Sequence, residues 1–215
     1  MNKRARSRAG KVRRHAENIL KVYARAGRTV RKAGREWYQI EHEAAADFGE
    51  RRGLTVYHVA GALAAISPGL QWESAYAYLE ALIEDPDARI PTYSRLFVDR
   101  AVEILRGPGT PIAPLQVLSG DKTTAFYRLI AANRPTRRAM AHTVVIDGHA
   151  WNICTGRRIT FRARPEYRPP QKARIWPQRY ALAADAYCRA AQIAGLLPHE
   201  LQAITWLQWR EEGAQ

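Results

Sequence analysis

Apolar residues recur at every third or fourth position over most of the chain, which is the spacing of amphipathic helices. The clearest example follows Thr55, a favoured capping residue, and consists of Val56, Val59, Ala60 and Leu63. This helix is predicted to end before Ser67-Pro68-Gly69. Comparable patterns predict helices over about 36–52, 72–84, 114–118, 122–132, 177–194 and 198–211, and a short one after Asp147. A further helix is predicted to start at Thr92 or Ser94 and to end before Gly107. Because 143–146 is the only β-like run, the sequence predicts an all-α fold.

The first 35 residues carry many charges and little apolar periodicity. They contain thirteen Lys or Arg and one acidic residue, Glu17. We predict a basic, flexible arm over 1–35, followed by a single helical domain over 36–215. A helix that forms only on binding and a solubilising tail are the alternatives for this segment.

A second basic segment, 157–174, carries seven Lys or Arg and one acidic residue. Its prolines oppose regular structure, so a basic loop is predicted over 157–175. The net charge of the chain is +14, and such an excess predicts a polyanionic partner. The longest apolar stretch, around Val59 to Ile66, is too short to cross a bilayer, and no apolar segment of a secretory signal follows the basic N-terminus. Nucleic acid is therefore favoured over a membrane.

Two short motifs carry the candidate chemistry. The first, Leu118-Ser119-Gly120-Asp121-Lys122-Thr123-Thr124-Ala125, joins a glycine turn to a lysine at the start of a helix. The second, Val144-Val145-Ile146-Asp147-Gly148-His149, places one aspartate after an apolar run. A carboxylate stabilises the charge that develops on a sugar when an N-glycosidic bond breaks, and a lysine amine can attack C1′ to form a Schiff base. Asp147 and Lys122 are the candidate catalytic residues.

These motifs resemble those of the helix–hairpin–helix DNA glycosylase superfamily of the endonuclease III type. Its hairpin has the form L-P-G-x-G-x-K-T-A, followed downstream by V-D-x-H, and the resemblance covers roughly residues 50 to 160. The resemblance implies a helical DNA glycosylase-like domain with a hairpin over about 114–133 and C-terminal helices over about 177–211. It also implies double-stranded DNA as the partner of a monomer in the cytoplasm, or in the host cytoplasm if the chain is phage-encoded.

The chain departs from that family pattern in two ways. Its hairpin is two residues shorter, and Asp121 would repel the phosphate that the amides of this turn normally receive. The C-terminal segment, with Trp206 and Trp209, is similar instead to small phage-type relatives of this fold. Some of those relatives are proposed to act on hypermodified thymine or hydroxymethylpyrimidine bases.

The resemblance and the chemistry together define the remaining candidate residues. Gln71 follows a segment that resembles the one supplying the residue wedged into the DNA stack. Trp72 and Trp151 are the candidates for a base pocket. Contacts with the DNA backbone are expected from Ser119, Gly120, Thr123, Arg157, Arg158, Arg162 and Arg164.

Each candidate has a structural alternative. Lys122 would be a solvated first-turn lysine, Asp147 a helix cap, the two tryptophans core residues, and the arginines part of a solvated loop. Other chemistries lack the required residues: the glycine before the lysine of a P-loop is missing, and the six histidines have no metal-ligand spacing. Cys154 and Cys188 are expected to be reduced thiols rather than a disulfide, and they are fewer than the four that an iron–sulfur cluster needs. No cofactor and no metal are expected.

Three functions remain open at this point. The first is a DNA-binding enzyme that cleaves the N-glycosidic bond of an extruded, damaged or modified base. The second is a phage-type enzyme that modifies hydroxymethylpyrimidine or thymine bases without releasing them. The third is a non-catalytic helix–hairpin–helix protein that binds DNA.

Overall fold

The computed structural model of the protein describes residues 3–92, 94–133, 140–159 and 171–214. Within these ranges the α-helices are α1 (Lys3–Arg25), α2 (Arg28–Arg51), α3 (Val56–Ile66), α4 (Ala75–Glu84), α5 (Arg95–Arg106), α6 (Ala113–Val117), α7 (Asp121–Ala131), α8 (Gly148–Thr155), α9 (Gln171–Ala194) and α10 (Pro198–Ala214). A 3₁₀ turn over Trp72–Ser74 precedes α4. No strand occurs among the described residues, so the prediction of an all-α chain is confirmed for them. None of these helices is long and apolar enough to cross a membrane.

Local capping chemistry sets several of the predicted helix ends. The side chain of Thr55 accepts a hydrogen bond from the backbone N–H of His58, whose ring accepts one from the backbone N–H of Thr55. Ser94 caps α5 by accepting a hydrogen bond from the N–H of Leu96. Two boundaries differ from the prediction. Helix α2 begins at Arg28 instead of near residue 36, and α9 begins at Gln171, so 171–175 is helical rather than part of the basic loop.

The chain divides into two compact units. The terminal unit comprises Met1–Trp37 and Pro135–Gln215, and the inserted unit comprises Tyr38–Arg134. This organisation differs from the predicted arm over 1–35 and single domain over 36–215. The first residues of the chain belong to a folded unit that also needs the last helices.

The inserted unit is built around α3. All residues of α3 from Val59 to Ile66 are buried, and the helix packs against α4, α5, α6 and α7. A Cβ atom at Gly61 would lie 2.8 Å from Cβ of Pro114 and 2.9 Å from Cγ2 of Ile104. This glycine therefore permits the close approach of α5 and α6 to α3.

The terminal unit has a core in which α1 packs against α8, α9 and α10. Ala16, Ile19 and Val22 of α1 are buried with residues such as Ile146 and Tyr187. The predicted flexible arm is therefore a helix that supplies core residues. The sequence contains the reason, because apolar residues at helical spacing run between the cations on α1: Val12, Ala16, Ile19, Leu20 and Tyr23.

Helices α2 and α10 also meet closely within this unit. A Cβ atom at Gly34 would lie 2.5 Å from the backbone N and 2.6 Å from Cα of Ile204. Only a residue without a side chain fits there, so Gly34 fixes the contact between the two helices.

Candidate functional site

Two helices of the inserted unit, α6 and α7, occupy the region of the predicted hairpin. Helix α6 ends at Val117, Leu118 is buried, and α7 starts at Asp121. Ser119 and Gly120 are exposed in the turn between the helices. Gly120 has a φ of 91°, which favours glycine, and no atom lies within 4 Å of the position that its Cβ would occupy. The turn is therefore open to solvent on the side of Gly120.

Thr123 stabilises this turn from within. Its hydroxyl donates to the carbonyl oxygens of Ser119, at 2.8 Å, and Gly120, at 3.2 Å. The side chain of Thr123 is buried, and Gly120 provides no side-chain cap for α7. The first backbone N–H groups of α7 thus receive no hydrogen bond from a side chain at Gly120. Such N–H groups at a helix start can bind an anion.

Lys122 lies on the first turn of α7 and is partly buried. Its Nζ lies 3.3 Å from Oγ and 3.4 Å from the carbonyl oxygen of Ser67, the residue that ends α3. The amine is therefore directed along the protein surface toward the end of α3. This position differs from that of a fully solvated first-turn lysine.

The segment after α3 brings two further candidates to the same helix, α7. Trp72 packs its ring against Phe126, one turn after Lys122, with ring centroids 5.1 Å apart. The indole N–H of Trp72 donates to Oε1 of Glu41 at 2.7 Å. Gln71 precedes Trp72 and is exposed. Lys122 and Phe126 of α7 thus contact Ser67 and Trp72 of the segment 67–72, which also contains the exposed Gln71.

Glu41 is a residue that the sequence analysis missed. Burial raises the pKa of its carboxyl group, and hydrogen bonds from Trp72 and Tyr76 oppose that rise. The available signal was its spacing, since Glu41 falls among the inward residues Tyr38, His42, Ala45 and Phe48 of α2. A carboxylate on an apolar helix face indicates a buried polar network.

Asp147 belongs to the terminal unit, whereas Lys122 belongs to the inserted unit. It follows the buried Val144–Ile146 run and is the N-cap of α8, where Oδ1 accepts a 2.7 Å hydrogen bond from the N–H of Ala150. The capping role considered from the sequence is therefore present. The hydrogen bond fixes the orientation of a half-buried carboxylate.

Trp151 lies one turn after Asp147 and is only 6% exposed. Its ring makes edge contacts with His15 and Trp176, and the guanidinium of Arg179 lies over it, 5.4 Å from the centroid. Its low exposure makes Trp151 a core residue of the terminal unit. Its indole N–H has no hydrogen-bond partner among the described residues.

The predicted arginines have different environments. Arg157 is exposed. Arg158 stacks on Trp209, with Cζ 3.8 Å from the centroid, and donates to the Trp209 carbonyl oxygen and to Glu212. Its guanidinium is thus held within the terminal unit. Arg162 and Arg164 lie outside the described residues.

Glu212 connects Arg158 to α1. Arg25 also donates to its carboxylate, at 2.7 Å and 3.1 Å, and the hydrogen bond from Arg25 is the main cause that lowers the pKa of Glu212 to about 2. Burial opposes this shift, while Gln208 and Arg158 contribute further lowering. This network secures the residues that enter the basic loop.

Among the described residues, no group of three or more His, Cys, Asp and Glu could hold a metal ion. Cys154 is buried as a free thiol, and burial raises its pKa. Cys188 is a free thiol at an intermediate depth.

Comparison with known proteins gives one relationship. No curated protein and no solved structure matches the chain. A family model matches residues 1–213, which includes parts of both units. The chain therefore belongs to the family described as "Family of unknown function (DUF7178)".

Proposed function

We propose that the protein binds DNA through the α6–α7 hairpin and cleaves the N-glycosidic bond of an extruded base. In the inserted unit, Lys122 would be the nucleophile or a phosphate clamp. In the terminal unit, Asp147 is the candidate carboxylate for stabilising positive charge on a sugar, and each role is proposed for its own unit. The observation that carries this proposal is the position of the Lys122 amine. It is held at Ser67, beside an open glycine turn and close to the segment with Gln71 and Trp72.

Three features of the hairpin support DNA binding. Its turn is exposed, Gly120 leaves the backbone accessible, and α7 starts without a side-chain cap from Gly120. The amides and the dipole at a helix N-terminus attract phosphate. Asp121 opposes this attraction, and the large positive charge of the chain compensates by long-range attraction.

Exposure of Gln71 supports a role in extruding a base. A side chain that fills the space left by a flipped base has to reach out from the protein surface. Gln71 is exposed, and Trp72 beside it is fixed by Glu41 and Phe126. The exposed amide of Gln71 therefore adjoins a residue whose side chain is held by two contacts.

The orientation of Asp147 supports its proposed role. A carboxylate stabilises developing charge best when it is already held in position. The N–H of Ala150 binds Oδ1, and no partner for Oδ2 occurs among the described residues. Capping and electrostatic stabilisation are compatible in such a residue.

The test is incubation of the full chain with duplexes that carry uracil, oxidised, alkylated or 5-hydroxymethylated bases, with borohydride present. Released bases are identified by mass spectrometry, and covalent adducts by the mass of the protein. We expect a free base from at least one duplex, and its loss in Asp147→Asn with DNA binding retained.

Two substitutions of Lys122 separate its possible roles. Lys122→Arg keeps the positive charge but cannot form a Schiff base, so it should abolish the adduct and retain DNA affinity if Lys122 is the nucleophile. Lys122→Ala should lose both if the residue also binds phosphate. The matched control is Lys21→Ala, which removes an exposed lysine from α1.

The same assay distinguishes the two alternative functions. Altered but unreleased bases would identify a base-modifying enzyme. Intact bases together with tight, salt-sensitive binding would contradict glycosylase activity and leave a DNA-binding protein.

A further inference from the structure

The terminal unit contains an unusual cluster around Trp151. Three aromatic rings meet there: Trp151 on α8, His15 on α1, at 5.6 Å, and Trp176 on α9, at 6.5 Å. Arg179 of α9 lies over the Trp151 ring. Three helices thus contribute to one group of aromatic and cationic side chains.

The indole N–H of Trp151 is unusual for a residue that is more than nine-tenths buried. No partner for it occurs among the described residues. Buried polar groups nearly always have a partner, and an exception indicates a role outside folding. A ligand with a hydrogen-bond acceptor would provide the missing partner.

His15 is oriented by the backbone. Its Nδ1 donates a 2.7 Å hydrogen bond to the carbonyl oxygen of Cys154, at which Asn18 also donates. Since Nδ1 carries the proton, Nε2 of the neutral ring is an acceptor. The cluster therefore offers one fixed donor, on Trp151, and one fixed acceptor, on His15.

Three cations act on members of this aromatic group, Lys11 and Arg14 on His15 and Arg179 on Trp151. Burial is the main cause that lowers the pKa of His15, and the positive charges of Arg14 and Lys11 lower it further. Lys11 and Arg14 are exposed on α1, and Arg179 adds a third charge from α9. Neutral aromatic surface with cations at its rim is suited to an aromatic ligand that carries negative charge.

We infer that this cluster binds a nucleotide, with the base against Trp151 and Trp176 and the phosphate at Lys11, Arg14 and Arg179. The Trp151 N–H would donate to an acceptor on the base. The nature of the ligand rests on the proposed function, which requires a nucleotide near α8, but the inference adds His15, Trp176 and Arg179 to the residues involved. The nucleotide would be either free or part of a DNA strand.

The experiment is a titration of the full chain with each of the four deoxynucleoside monophosphates and with a short single-stranded oligonucleotide, followed by calorimetry. The central variant is Trp151→Phe, which keeps an aromatic ring but removes the five-membered ring of the indole together with its N–H. We expect it to weaken binding by roughly tenfold, the effect of losing one hydrogen bond. Its melting temperature should fall, because the smaller ring leaves a cavity in the core, so binding is compared at a temperature at which both proteins are folded.

A matched control exists in the same unit. Arg210 lies over the ring of Trp206 at 4.5 Å, so Trp206→Phe alters a comparable Trp–Arg pair away from the cluster. This control should leave nucleotide affinity unchanged. Arg179→Gln should weaken binding and reduce its dependence on salt.

The outcomes separate the two ligand sources. Binding of a monophosphate that is sensitive to Trp151→Phe identifies a free nucleotide, and sensitivity seen only with the oligonucleotide identifies a nucleotide within DNA. Absence of binding, equal affinity in Trp151→Phe, or equal binding of inorganic phosphate alone would overturn the inference. The monophosphate titrations involve neither duplex DNA nor base release, so a failure of the proposed catalysis remains distinguishable from a failure of this site.

Discussion

Glu41 accepts a 2.7 Å hydrogen bond from the indole N–H of Trp72 through Oε1, and the hydroxyl of Tyr76 lies 3.4 Å from Oε2. The ring of Trp72 in turn packs against Phe126 on the helix that carries Lys122. A half-buried carboxylate on α2 therefore helps to orient Trp72, which lies in the same segment as Ser67, the partner of the Lys122 amine. Burial also raises the pKa of Tyr76, so its hydroxyl stays protonated as a donor.

Replacing Glu41 with Gln should change the pH dependence of stability. Because burial raises the pKa of Glu41 above its ordinary value of 4.5, the folded state binds more protons than the unfolded state above that pH. The free energy of unfolding contributed by this group therefore falls as the pH rises from about 4.5. Urea unfolding of wild type and Glu41→Gln should show the variant gaining relative stability with increasing pH. The same difference in the free energy of unfolding between wild type and variant at every pH would contradict this prediction.

Replacing Ile19 with Ala should strongly destabilise the protein. Ile19 lies on α1 and is fully buried in the core of the terminal unit. Removal of such a side chain costs about 2–5 kcal/mol. Lys21→Ala, two residues away and exposed, should change stability by less than about 0.5 kcal/mol. Equal stability of both variants in chemical unfolding would show that residues 1–35 are a flexible arm after all.

Replacing Gly120 with Ala should destabilise the hairpin and weaken DNA binding. A side chain at a φ of 91° is strained and costs about 1–3 kcal/mol, although no neighbouring atom obstructs it. The control is Gly10→Ala on α1, where there is also space, and where removing a helical glycine should stabilise the chain by about 0.5–1 kcal/mol. Thermal unfolding and a fluorescence-based DNA titration measure the two effects. If Gly120→Ala binds DNA as tightly as the wild type does, the hairpin is not part of the DNA-binding surface.

Replacing Glu212 with Gln should weaken the network of Arg25 and Arg158. The pKa of Glu212 is lowered from 4.5 to about 2, so its contribution to stability is complete above pH 4.5 and is lost as the pH falls toward 2. Since the arginines are partly exposed, the loss in the free energy of unfolding should be about 1 kcal/mol or less. Urea unfolding should therefore show a deficit in the variant near neutral pH that shrinks in acid. A deficit that grows in acid would refute this assignment.

Local signals in the sequence predicted much of the helical structure. Thr55, Ser94 and Asp147 each cap a helix through a hydrogen bond to an amide two or three residues away, so each cap can be read from adjacent residues. The turn at Gly120 is similarly local. The starts of α3, α5 and α8 and the glycine turn before α7 are therefore readable from the sequence.

Features that depend on distant residues were not predictable in this way. The apolar residues of α1, which include Ile19, alternate with many cations in the sequence. Their burial depends on α9 and α10, which lie far along the chain. Glu41 acquires its role only when Trp72 folds against it, and Arg158 only when Trp209 does. Charge and spacing alone do not distinguish a solvated side chain from one that packs on such a partner.

The discontinuity of the terminal unit has a consequence for synthesis on the ribosome. The inserted unit, Tyr38–Arg134, is continuous in sequence and can complete its core before the rest of the chain emerges. Helix α1 precedes the inserted unit in the sequence, yet its buried face has to wait for α9 and α10, which are translated after that unit. We therefore expect nascent chains that end near residue 170 to protect the inserted unit from protease while α1 is still cleaved. The apolar face of α1 stays exposed until those helices are made. The many positive charges on the same helix should reduce aggregation during this time, because like charges keep incomplete chains apart.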